Sequence, residues 1–201
     1  MSLEPSAMNK RIAFVQTIPL ELVGVQLLSS VLKQRGHEVR VFITYIDSFK
    51  RLIAKLGEYK PDFLCFSACT ADHEALLGVA ARLKKEHKVP CIWGGPHATF
   101  FPEIIDYEGV DIVVRGEAEH IIGRLIDDPS DTSVPSCHFR KSDGTIVRNE
   151  MGRLIDDLDK LPFPDWSLYR EAYKSLAYAS VTVLAGRGCP FGCSFCYNQS
   201  L

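Results

Sequence analysis

Residues 62–70 read DFLCFSACT, a near-continuous apolar run that ends in small and hydroxyl-bearing residues. A strand wetted on one face alternates apolar with polar positions. A run that is apolar throughout is covered on both faces, as in a parallel sheet packed between two helix layers. Four more runs have the same character: RIAFVQ (11–16), EVRVFITY (38–45), PCIWGG (90–95) and VDIVVRG (110–116). Helical spacing fills the gaps between them. Phe49, Leu52, Ile53 and Leu56 recur at i, i+3, i+4 and i+7, and Leu76, Ala80 and Leu83 do so more loosely. Gly36, in KQRGHE, stands where a glycine closes the first helix. Strict alternation of strand and helix predicts an α/β fold: a doubly wound, five-stranded parallel sheet in the order 2-1-3-4-5, joined by right-handed crossovers.

That topology is Rossmann-like, of the flavodoxin-like kind, and residues 10–127 are read as one such domain. Residues 1–9 read as a disordered, tag-like N-terminus. Residues 128–177 are read as a hairpin and linker: DDPSDTSVPS (127–136) is a loop, and CHFRKSDGTIVRNE (137–150) is a hairpin turning at Asp143–Gly144. LIDDLDKLPFPDW (154–166), with two prolines and paired acids, suits an extended linker. In YASVTVLAGRG (178–188), Val181 to Ala185 form a short β-rich run that leads into a cysteine array, so 178–201 is read as the start of a further domain.

Composition narrows the function classes. The 201 residues are 46% apolar and 24% charged with a net charge of −2, and no long basic block is present. Nucleic acid and anionic membrane are therefore not expected as main partners, and no apolar run is long enough to span a bilayer. The seven cysteines are an odd number. Cys65 and Cys91 sit inside buried-strand patterns, as inert thiols do, and this usage suits a reducing, cytoplasmic setting.

In open α/β sheets ligands sit at the carboxyl ends of the strands, near the point where strand order reverses. After the first strand comes TIPLELVG, without the glycine fingerprint of dinucleotide binding. No acidic cluster of a phospho-acceptor domain appears, and the third strand ends in Ser67. The ends offer small and polar groups instead: Ser67 and Thr70 in FSACT, Gly94, Gly95 and His97 in GGPHAT, and Gly116 and Glu117 in RGEAE. Any one of these glycines alone is ordinary turn chemistry, and His97 alone is an ordinary loop histidine. Three such ends on one sheet edge point to a ligand cleft.

PDFLCFSACTADHEALLGVAARLK, GGPHATFFPE and VDIVVRGEAE together resemble the cobalamin-binding domain attached to radical S-adenosylmethionine (SAM) enzymes. The resemblance implies that the cofactor's nucleotide tail threads into a cleft beside the sheet while the corrin lies across its carboxyl edge. Ser67 and Thr70 would line the tail cleft, Gly94 and Gly95 would let the tail pass close to the backbone, and His97 would face the corrin. Gly116 and Glu117 belong to the same expected site. Relatives of the methionine synthase type carry D-x-H-x-x-G after the first strand. With its glycine aligned on Gly24, Pro19 and Glu21 stand in place of the Asp and His, so no protein histidine is expected as lower ligand of cobalt.

CPFGCSFC places Cys189, Cys193 and Cys196 in C-x3-C-x2-C spacing, with Phe195 and Tyr197 flanking the last. Structural zinc takes four ligands, commonly as two pairs, and only three are local here. A disulfide would leave one of the three over. An iron–sulfur cubane normally takes four thiolates, so three leave one iron open to a chelating substrate. The array resembles the radical SAM signature, which implies a [4Fe-4S] cluster held by these three cysteines, cleavage of S-adenosylmethionine to a 5′-deoxyadenosyl radical, and an electron-donor protein. Since a β/α barrel needs about 200 residues, the chain is expected to be the N-terminal part of a larger enzyme, inactive by itself. The corrinoid is then its expected partner, and a small-molecule or peptide substrate belongs to the whole protein. Methyl transfer, or a radical cyclisation or rearrangement, is the expected chemistry. The alternative is a cofactor-free Rossmann-like module that recruits substrate or partner.

Overall fold

The computed structural model describes residues 9–173, 182–196 and 198. The tag-like stretch up to residue 8 and residues 174–181, where the expected barrel strand begins, lie outside the described residues. The elements in chain order are β1 (Arg11–Gln16), α1 (Val23–Gln34), β2 (Glu38–Ile43), α2 (Phe49–Tyr59), β3 (Phe63–Ser67), α3 (His73–His87) and β4 (Cys91–Gly94). Then follow α4 (Gly95–Phe100), a 3-10 turn (Pro102–Asp106), β5 (Ile112–Val114), α5 (Ile122–Asp127), β6 (Cys137–Arg140), β7 (Ile146–Arg148), a second 3-10 turn (Leu158–Lys160) and α6 (Ser167–Ala172).

β1 to β5 pair in parallel in the expected order, with β1 between β2 and β3. The hairpin does not stand apart from this sheet. β6 pairs antiparallel with β5, and β7 with β6, giving seven strands in the order 2-1-3-4-5-6-7. The physical reason is the edge: unpaired N–H and C=O groups on β5 would otherwise face solvent, and the hairpin takes them up. Gly144, at φ +86°, closes the hairpin loop and donates to the Lys141 carbonyl at 2.9 Å.

Alternating side chains of each central strand feed opposite layers. Ile12, Phe14, Phe63 and Cys65 join one cluster with Val25 and Leu32 of α1, Leu125 and Ile126 of α5, and Leu168 and Tyr169 of α6. Ala13, Val15, Leu64 and Phe66 join the other, with Leu52 and Leu56 of α2 and Leu76, Ala80 and Leu83 of α3. Trp93 is fully buried in that second layer, where it stacks on Phe66 at 4.8 Å and donates its indole N–H to the Gly109 carbonyl at 3.0 Å.

α6, beyond the stretch read as linker, returns the chain to the start of the sheet. The Tyr169 hydroxyl donates to Gln16 Oε1 at 2.7 Å and accepts from the Leu22 N–H at 3.1 Å. The Tyr173 hydroxyl donates to the buried Asp47 carboxylate at 2.8 Å and accepts from the Ile43 N–H at 2.9 Å. Residues 182–185 form no strand in the described structure. An isolated strand buries little surface and leaves its backbone unpaired, so it needs neighbours to persist. Among the described residues no helix is long and apolar enough to cross a membrane.

Candidate functional site

A cleft of about 800 Å³ opens at the carboxyl ends of β3, β4 and β5, between the sheet and α1 and α5. Its floor is apolar: Phe14, Val25, Leu27, Cys65, Ile92, Val114 and Ile122 line it. Ser67, Gly94, Gly95, Thr99, Gly116, Glu117 and Glu119 surround its mouth. The chain supplies this shape because parallel strands end together at one edge, where α4 follows β4 directly and a loop joins β5 to α5.

Five of the seven residues expected to contact cobalamin converge here: Ser67, Gly94, Gly95, Gly116 and Glu117. Thr70 and His97 do not line the cleft. His97 is buried, its Nδ1 lies 3.2 Å from Thr70 Oγ1, and its ring stacks on His73 at 3.9 Å and on Phe101 at 5.0 Å. Burial and the neighbouring His73 hold the His97 pKa below the ordinary histidine value. The reason for the displacement is helical: α4 starts at Gly95, and its first turn carries the His97 ring away from the cleft towards the loop after β3.

The two adjacent glycines have different origins. Gly95 has φ +89°, and a Cβ there would stand 2.9 Å from the Ala68 backbone N and O and from Ser67 Oγ. The fold itself requires Gly95. Gly94 is extended, and a Cβ would meet only the Val114 carbonyl, at an ordinary 3.7 Å. Gly24, in the first turn of α1, also lines the cleft, and a Cβ on it would meet nothing within 4 Å. Glycine in a helix costs about 1 kcal/mol relative to alanine. Two cleft-lining glycines that the backbone does not require leave space along the wall that side chains would fill.

Thr99 and Glu119 went unnoticed in the sequence. The Thr99 hydroxyl donates to the Gly95 carbonyl at 2.9 Å and accepts from the Gly116 N–H at 3.0 Å, tying the β4 end to the β5 end. Its position four residues after Gly95 in a helix was the available signal. The Glu117 carboxylate accepts from the Ile155 N–H at 2.6 Å and from Arg187 Nη1 at 2.8 Å. Arg187 Nη2 reaches Glu119 at 2.5 Å. Leu154, Ile155 and Leu158 of the linker, and Leu184, Gly186, Arg187, Gly188 and Asn198, complete the rim.

Cys189 and Cys193 are exposed and Cys196 is half-buried, and the Cys196 N–H donates to the Cys193 carbonyl at 3.1 Å. Among the described residues no three of His, Cys, Asp and Glu converge as metal ligands. Three thiolates within eight residues are nonetheless the donor chemistry of an iron–sulfur centre. Cys65 and Cys91 are buried as expected, and burial pushes the Cys91 thiol up to about 12.

A doubly wound sheet with an apolar slot at its carboxyl edge and spare room along the slot defines a nucleotide- or cofactor-cradling α/β domain. The chain belongs to the B12 binding domain family, whose profile matches residues 19–126. It is 30% identical over 188 residues to an uncharacterized methyltransferase of Pyrococcus horikoshii, covering 88% of this chain and 40% of that protein. It is 31% identical over 196 residues to the anaerobic magnesium-protoporphyrin IX monomethyl ester cyclase of Cereibacter sphaeroides, covering 86% of this chain and 30% of the cyclase. It is also 28% identical over 156 residues to the cobalamin-dependent radical SAM methyltransferase TokK of Streptomyces tokunonensis, covering 70% of this chain and 22% of TokK. The chain thus spans well under half the length of these relatives.

Proposed function

We propose that this chain is the corrinoid-holding part of a cobalamin-dependent radical SAM enzyme that carries out methyl transfer or a radical cyclisation or rearrangement. The observation that carries the reading is the cleft wall itself, in which Gly24 and Gly94 face space that the fold gives no reason to keep. A slender, partly apolar group such as the nucleotide tail of cobalamin suits that space, with Val25, Leu27, Ile92, Val114 and Ile122 packing on it. Ser67 brings a hydroxyl to the rim, while the Thr99 hydroxyl and the Gly116 N–H are engaged with each other and hold the rim in shape. No histidine follows β1 at the lower-ligand position; Glu21 there accepts from Gln26 Nε2 at 3.1 Å, so cobalt would receive no protein imidazole from this loop.

Cys189, Cys193 and Cys196 would hold the cluster. The chemistry supplied by the bound cofactors is single-electron cleavage of S-adenosylmethionine and carriage of a methyl group. The chain's own contribution is to bind, to orient and to exclude water from the apolar slot. Its expected partners are the corrinoid, an electron-donor protein, and a small-molecule or peptide substrate of the whole protein. Cysteine usage supports a cytoplasmic setting.

Incubation with hydroxocobalamin followed by desalting tests the reading. A corrin absorption band is expected to remain with the protein. No retained corrin with protein at tens of micromolar favours the cofactor-free recruiting module instead.

A further inference from the structure

We infer that Arg187 is a positioning residue that straps the stem of the cysteine array across the mouth of the corrinoid cleft by a forked ion pair to Glu117 and Glu119. The inference rests on the cleft being the corrinoid site. Residues 182–195 are exposed along their whole length, yet Leu184, Gly186, Arg187 and Gly188 line the cleft. Such a segment holds its place over a cleft only if something anchors it. The Arg187 guanidinium reaches Glu117 Oε1 at 2.8 Å and Glu119 Oε1 at 2.5 Å, and these side chains are 26%, 17% and 7% exposed. Both carboxylates come from the loop that ends β5 and opens towards α5, so the anchor point is the rim itself.

Glu117 is held from a second side. Its other oxygen accepts from the Ile155 N–H at 2.6 Å, which pins the linker to the same point. A single acidic loop therefore gathers three parts of the chain: the β5 end, the linker and the segment two residues ahead of Cys189. A planar guanidinium can fork two carboxylates in fixed geometry, whereas a lysine ammonium cannot. Gly186 and Gly188 flank the arginine, and a Cβ on Gly186 would meet nothing within 4 Å. The consequence is that the cysteine array and the corrinoid cleft share one registration point, and that an occupant of the cleft is retained by the closed strap.

The Glu117→Gln/Glu119→Gln variant tests this, because it keeps the side-chain shapes and the Ile155 contact while removing both charges. Trypsin cleavage between Arg187 and Gly188, followed by mass spectrometry, reads the strap. Loss of hydroxocobalamin after rapid desalting, followed by corrin absorbance, reads closure. Both rates are expected to rise about fivefold or more in the variant, the scale of one partly buried ion-pair network. Bound hydroxocobalamin is expected to slow the cleavage in the native protein. Arg187→Lys, which keeps the charge and the trypsin site but loses the fork, is expected to fall between the native and the double-glutamine rates. Cleavage rates equal within twofold would overturn the strap, and faster cleavage with unchanged cofactor loss would overturn closure. If the native protein retains no hydroxocobalamin, the proposed function fails, while the cleavage comparison still decides whether Arg187 is clamped.

Discussion

Gly95 packs against Ala68 so closely that a Cβ would stand 2.9 Å from both the backbone N and the backbone O of Ala68. Its neighbour Gly94 faces the cleft with room to spare, the nearest atom to a Cβ being the Val114 carbonyl at 3.7 Å. The pair therefore separates stability from binding. Gly95→Ala is expected to destabilise the fold by at least about 2 kcal/mol, from the positive φ and the backbone clash together. Gly94→Leu is expected to leave the urea midpoint nearly unchanged and to abolish hydroxocobalamin retention. Retention by a folded Gly94→Leu protein would remove the tail from this wall.

Tyr169→Phe tests the returning helix α6. Loss of the hydroxyl leaves the Gln16 Oε1 and the Leu22 N–H without the partner it supplied to each. The expected cost is about 1–3 kcal/mol in urea unfolding, because the Gln16 amide left behind is buried and the Leu22 N–H partly so. A cost below about 0.5 kcal/mol would show that α6 does not stay docked in solution.

The buried histidines set a pH dependence. His37, His97 and His138 each have a pKa held below the ordinary value of 6.5, chiefly by burial. In His37 burial outweighs the opposing pull of Asp127, and in His138 the cations Arg115 and Arg148 add to it. Below about pH 6.5 the unfolded chain takes up protons that the folded chain resists, so stability is full above that pH and falls as pH drops through the folded values. Urea midpoints are expected to decline from pH 7.5 to 5.5, with a shallower decline in His138→Gln. A flat profile would contradict the burial of these rings.

Anaerobic reconstitution with iron and sulfide tests the cysteine array. The native chain is expected to acquire a brown chromophore, and Cys193→Ala to fall to background iron content. Equal iron and equal absorbance in the two proteins would remove Cys193 from the donor set.

Much of the framework was legible in local pattern. Each apolar run from RIAFVQ to VDIVVRG contains its strand, and β1 spans Arg11–Gln16 as read. The Leu52 and Leu56 spacing and the Leu76, Ala80 and Leu83 spacing mark helix faces that are fully buried. These signals are periodic and local, so a single segment carries them. The hairpin was legible as a hairpin but not as the continuation of the sheet, because pairing with β5 depends on which edge lies open.

Residue types and spacing by themselves determined the α/β order, and marked the carboxyl edge and the three clustered cysteines as candidates for ligand and metal. Only the tertiary structure decided that His97 turns from the cleft to Thr70 and His73, and that Gly95 serves the backbone while Gly94 faces the cleft. It also decided that Arg187 meets Glu117 and Glu119 across 70 and 68 residues of chain. The reason is physical: periodicity reports which face of an element is covered, whereas a side chain's partner is chosen by elements that approach from elsewhere in the fold.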